Sequence, residues 1–116
     1  MLKSNSAAVI NTEYQATIFS ALGDPTRLSL VGKLIDGKSH SITTLANDTH
    51  ITRQAVTKHL RVLENVGIVT SIKAGRESLY VLDPKPLESV QDYLAIIANE
   101  WDRSLNNLKA FLEKNN

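Results

Sequence analysis

Cysteine is missing from the chain altogether, which removes a disulfide framework, a thiolate zinc site, a CxxC redox pair and a cysteine nucleophile together. Proline (3) and glycine (5) are too scarce to make a linker, and no repeat or low-complexity tract is visible. The 116 residues are therefore expected to form a single domain, 1–116, with a modest core. Long apolar runs are lacking too. Ala95-Ile96-Ile97-Ala98 falls far short of the roughly 20 residues a spanning helix needs. The opening MLKSNSAAVINTEYQ offers only Ala7 to Ile10, with no signal-type cleavage site. The expectation is no membrane association and a cytoplasmic location. Nor is there a dominant charge: 13 basic against 12 acidic residues leave +1, which by itself announces no partner.

Catalytic signatures are equally absent. There is no GxSxG, no HExxH and no phosphate-cradling glycine loop, and Ser39-His40-Ser41 has no recognisable orienting acid. The chain is not expected to be an enzyme. What it does contain is 42% hydrophobic and 22% charged residues, an ordinary globular balance laid out in helical periods. A first segment, Val9 to Leu22, carries Ile10, Tyr14, Ile18 and Ala21 at helical spacing and stops at Gly23. Asp24-Pro25 opens a second helix with Leu28, Val31, Leu34 and Ile35 on one face, ended by Asp36-Gly37. A short helical piece runs from Thr43 to Asp48, and Thr52 stands as N-cap to a helix from Arg53 to Val66. Gly67 ends it. Strand-like runs at Ile68 to Lys73 and Ser78 to Leu82 flank the turn Ala74-Gly75-Arg76-Glu77. After Asp83-Pro84-Lys85-Pro86, a long helix runs from Leu87 to about Glu113. The fold class expected is mainly α with a small β-hairpin, a winged helix-turn-helix with a long terminal helix in a homodimer.

The segment from Thr43 to Val66 has the short helix, tight turn and second helix of a helix-turn-helix. On the second helix Val56, Leu60 and Leu63 form a stripe to be buried. Gln54, Thr57, Lys58 and Arg61 form another, roughly opposite and free of acidic residues. Charges on a helix are usually only solvated. These types, however, suit a DNA major groove: Lys and Arg reach guanine edges or phosphates, Gln pairs with adenine, and the Thr methyl meets thymine. Arg53, in the first turn, is a phosphate contact rather than a base reader. His59, between the stripes, is placed to touch a phosphate or to pack against the hairpin. Thr43 on the short helix and Lys73 and Arg76 on the wing complete the expected DNA-binding set, with the wing on the backbone or in the minor groove.

In the last helix, Leu87, Val90, Leu94, Ile97, Trp101, Leu105, Leu108 and Leu112 approach a heptad seam. Such a helix is about 40 Å long, more than so small a domain covers. The economical solution is a second copy, with an interface of Leu94, Ile97, Trp101, Leu105, Leu108 and Leu112 joined by Ile10 and Tyr14 of the first helix.

The run Phe19-Ser20-Ala21-Leu22-Gly23-Asp24-Pro25-Thr26-Arg27-Leu28, the segment Gln54-Ala55-Val56-Thr57-Lys58-His59-Leu60-Arg61-Val62-Leu63, and Gly67-Ile68-Val69 leading to Gly75-Arg76 together resemble the ArsR family of winged helix-turn-helix transcriptional regulators. The likeness spans about Ile18 to Leu82. It implies a homodimeric repressor on a palindromic double-stranded DNA operator, displaced when the protein meets its signal. The family's metal sensors use cysteines in the short first helix of the motif, or His and carboxylate ligands in the terminal helix. Here the short helix reads Thr43-Thr44-Leu45-Ala46-Asn47-Asp48 and the last helix has no histidine. Its carboxylates Glu88, Asp92, Glu100 and Asp102 are poor transition-metal ligands without nitrogen or sulfur support. No metal site, cofactor or small-molecule effector is evident.

The competing reading is a winged-helix protein-interaction module without direct DNA readout, since fold does not fix function. Charge distribution speaks against it. Residues 53–77 hold five basic and two acidic residues, while residues 78–116 hold four and six. A short basic head is masked by an acidic terminal helix.

Overall fold

Capping chemistry sets most helix boundaries in the computed structural model, which describes residues 11–47 and 49–115. Asn11 Oδ1 accepts from the Tyr14 amide at 3.1 Å and starts α1 (Thr12–Leu22). Asp24 Oδ2 accepts from the Thr26 and Arg27 amides at 2.9 and 3.1 Å, and Pro25 fills the first position of α2 (Pro25–Lys33). Ser41 caps α3 (Ile42–Ala46) and Thr52 caps α4 (Arg53–Asn65), each through its hydroxyl oxygen. Asp83 caps α5 (Pro84–Lys114). Ile10 and the first residues of the Val9-to-Leu22 segment lie outside the described residues, as does Asp48.

Between α4 and α5 lie β2 (Val69–Ala74) and β3 (Glu77–Leu82), antiparallel from Val69↔Leu82 to Ala74↔Glu77. Ladder pairing reaches Ala74 and Glu77, so the loop shrinks to Gly75-Arg76, with Gly75 at φ +66° as a tight two-residue hairpin demands. The expected hairpin is in fact part of a three-stranded sheet with β3 in the middle. Its third strand, β1 (His40–Ser41), pairs His40↔Tyr80 and Ser41↔Leu79. Two residues carry no period, so only the tertiary approach of α3 to β3 could reveal this strand.

The core joins Ile18 and Ala21 of α1, Leu30, Val31 and Leu34 around α2, Leu45 of α3, Val56, Leu60 and Leu63 of α4, and Ile68, Val69, Tyr80 and Val90. One expectation is corrected here. Leu28 and Ile35 do not share the buried face of α2; they are 55% and 71% exposed, whereas Leu30 is fully buried. The sequence contains two overlapping helical stripes, and docking against α1 and α4 selects the one through Leu30. Prolines 84 and 86 also fall inside α5 rather than before it. The first helical turn has no intrahelical N–H partners to lose, so proline is tolerated there.

The first turns of α5 pack inside the chain, with Pro86 and Val90 buried and the Gln15 amide donating to Ser89 O at 3.3 Å. Phe19 and Tyr93 meet edge to face, ring centroids 6.2 Å apart. Beyond that, Leu94, Ile97, Trp101, Leu105, Leu108 and Leu112 are exposed along the helix, Trp101 by 63%. The radius of gyration is 19.1 Å, against the roughly 13 Å of a compact chain of this length, because α5 extends out of the body.

Candidate nucleic-acid interface

Helix α4 is the centre of the site, and its amphipathic pattern orients it. Val56, Leu60 and Leu63 are fully buried, so the opposite side is turned to solvent, where Gln54, Lys58 and Arg61 stand exposed. Thr57 is half-buried, and its hydroxyl donates to Arg53 O at 2.8 Å. That bond occupies the hydroxyl proton within the helix and leaves the methyl as the group available to an outside surface.

The turn before α4 is fixed by side chains. Thr49 Oγ1 donates to Ala46 O at 2.7 Å and accepts from the Ile51 amide at 3.3 Å. Lys33 Nζ donates to Leu45 O and Asn47 O at 3.1 and 3.0 Å, satisfying carbonyls at the C-terminal end of α3. The wing is fixed by another: Ser71 Oγ donates to Glu64 Oε2 at 2.8 Å, joining β2 to α4. Neither Lys33 nor Glu64 stands out in the sequence as part of the site. Each is a lone charged residue whose partner is distant or unpatterned.

Thr43, Arg53 and Arg76, expected to face DNA from three different elements, do converge. With Ser41, Ile42, Glu77 and Ser78 they line one open hollow of about 210 Å³ between the wing tip and the start of α4. Two guanidiniums outweigh the one carboxylate, Glu77, and with several hydroxyls and the positive dipole end of α4 they make a setting suited to a phosphate. Lys73 is exposed on β2 opposite Ser78 and does not line this hollow.

Of the two roles expected for His59, the structure bears on one. The ring does not pack against the hairpin: its Nδ1 accepts from Arg27 Nη1 at 3.2 Å and lies 3.8 Å from Asp24 Oδ2. The physical reason is helical geometry. His59 lies about 140° around α4 from Glu64, which bonds to Ser71 of the hairpin. The Arg27 amide, with smaller help from the charges of His59 and Arg27, holds the Asp24 carboxyl below the usual carboxylate range, against a partial desolvation. His40 is likewise engaged, 3.1 Å from both carboxylate oxygens of Asp36. Among the described residues no group of three or more His, Asp or Glu side chains is placed to hold a metal ion.

Comparison with known proteins gives the same picture from another direction. Residues 22–72 match the model of a helix-turn-helix domain. The uncharacterized HTH-type transcriptional regulator YuzN of Bacillus subtilis (strain 168) is 37% identical over 79 residues, 63% of this chain and 86% of that protein. The HTH-type transcriptional regulator Rv2034 of Mycobacterium tuberculosis is 34% identical over 87 residues, 75% of this chain and 78% of the relative. Among solved structures, an ArsR-like transcriptional regulator from Rhodococcus sp. RHA1 superposes with a TM-score of 0.72 at 36% identity, covering 86% of this chain and 93% of its own. A helix with one face in the core and the opposite face cationic, a wing tied to it, and relatives alike over most of their length lead to one conclusion: the chain belongs to the ArsR-like family of winged helix-turn-helix, DNA-binding transcriptional regulators.

Proposed function

We propose that two copies of this chain bind a palindromic operator as a repressor. In this reading Gln54, Thr57, Lys58 and Arg61 of α4 face base edges in the major groove. Arg53, Thr43 and Arg76 hold a phosphate in their shared hollow, and Lys73 follows the backbone beside the wing. The observation that carries this is the orientation of α4, which buries Val56, Leu60 and Leu63 and leaves an acid-free polar face open. The exposed apolar side of α5, with Tyr14 of α1, supports a two-fold interface between copies. Two-fold symmetry places the two reading helices roughly 34 Å apart, one DNA turn. Repression is supported by a Mycobacterium tuberculosis relative described as the HTH-type transcriptional repressor SmtB, 32% identical over 65 residues.

Retardation of the chain's own upstream DNA tests this. Specific binding is expected on the order of 10⁻⁸ to 10⁻¹¹ M and weakens steeply with salt. The double variant Lys58→Ala/Arg61→Ala is expected to lose most of that binding while keeping the wild-type helix content and size. Operator binding by that variant at wild-type strength sinks the assignment of the reading face.

A further inference from the structure

We propose that Arg27 is a positioning residue for DNA recognition, fixing α4 against the end of α1 through His59. The inference rests on the DNA-binding reading and adds a residue that touches no DNA in it. The guanidinium of Arg27 serves two helices. Its Nε donates to Ala21 O at 2.5 Å and its Nη2 to Ser20 O at 3.4 Å, both carbonyls in the last turn of α1. Its Nη1 donates to His59 Nδ1 at 3.2 Å on α4. Arginine offers donors and no acceptor, so His59 takes the acceptor role in this contact through Nδ1.

The charged groups facing the His59 ring are Arg27 from α2 and Asp24 from the α2 cap, while α1 contributes the carbonyls that Arg27 holds. Asp24 Oδ2, 3.8 Å from Nδ1, is itself held as the α2 cap by the Thr26 and Arg27 amides. Helix α1 carries Gln15 and Phe19 against α5, and α4 carries the reading face one residue away from His59 at Lys58. The Arg27 fork is thus a polar link between α1, which packs on α5, and the reading helix. Base-edge hydrogen bonds tolerate only about 10–20° of misorientation, so loosening this link weakens readout without removing a contact.

A double-mutant cycle on operator binding by the full-length protein tests the proposal, using Arg27→Gln, His59→Leu and their combination, with His59→Asn as the conservative variant. Each of the first two is expected to weaken binding roughly tenfold, the order of one hydrogen bond to a charged group. The combination binds no more weakly than the worse single variant, and the salt dependence stays as in the wild type. In His59→Asn the amide oxygen takes the place of Nδ1. This variant is expected to retain most of the affinity, because an acceptor for Arg27 is kept. Should Arg27→Gln lower the thermal midpoint, the contrast between His59→Asn and His59→Leu still decides. Additive losses overturn the proposal. So does a salt slope reduced by about one in His59→Leu, which marks a direct phosphate contact. A loss of affinity in His59→Asn as large as that in His59→Leu overturns it as well. Failure of the wild type to retard any upstream DNA is a different result and sinks the proposed function itself.

Discussion

Leu28 and Leu30 are two residues apart on one helix, yet their energetic weights differ because one faces the core and the other solvent. Leu30→Ala is expected to lower stability by about 2–5 kcal/mol, the range for an aliphatic side chain removed from a packed interior. Leu28→Ala is expected to change it by less than about 1 kcal/mol, and urea unfolding of the two variants checks the ordering. Asp24 carries a second prediction at this scale. Its folded carboxyl titrates below the ordinary range, chiefly because the Arg27 amide donates to it. Folding therefore favours the carboxylate, and this contribution is fully present above the unfolded value of about 3.9. It is lost as pH falls through the lower folded value. Between pH 6 and pH 3 the wild type is expected to lose more stability than Asp24→Asn; equal acid sensitivity of the two argues against the cap. The Asp24-Pro25 start of α2 was readable from the chain because a cap and its amides are local. The Arg27–His59 bond spans 32 positions and has no periodic signature.

Elements were legible in proportion to their length. α4 and α5 announce themselves by apolar spacing over many turns, and the structure finds them close to where that spacing puts them. β1, with two residues, has no such signal and exists only because α3 delivers it to the edge of β3. The junction of α4 with β2 turns on Gly67, which adopts φ +85° so that the Ile68 amide can return to Leu63 O at 2.9 Å. A Cβ there meets only Pro86 Cγ at an ordinary 3.8 Å, so space does not forbid a side chain. The backbone does. Gly67→Ala is expected to lower stability by about 1–2 kcal/mol through left-handed strain alone, read as a shifted denaturant midpoint with unchanged slope. A neutral result there contradicts the left-handed junction.

For the molecule as a whole, α5 is the feature that a single copy does not account for. It is 31 residues, about 46 Å, and past Val90 its apolar side meets solvent, with Leu112 still 53% exposed near the far end. Isolated exposed leucines are unremarkable, but a continuous stripe marks an interaction surface. Under the proposed two-fold arrangement, Trp101→Glu with Leu105→Glu buries two carboxylates in that interface. The expected outcome is a monomer by sedimentation velocity, with operator affinity reduced at least a hundredfold as the second half-site is lost. If the doubly substituted chain sediments as the wild type does, the stripe is not the interface.

The sequence by itself determined which segments are helices, which face of α4 enters the core, where the cationic head lies, and that no thiol chemistry is available. These follow from properties that neighbours along the chain carry together: period, caps and local charge. Tertiary structure alone decided which of two stripes on α2 is buried and that β1 joins the sheet. It also brought Thr43, Arg53 and Arg76 to one hollow and turned His59 toward Arg27 and away from the wing. Each of those depends on how separate elements dock, and docking is settled by the shapes of distant surfaces meeting, a quantity no local window of sequence contains.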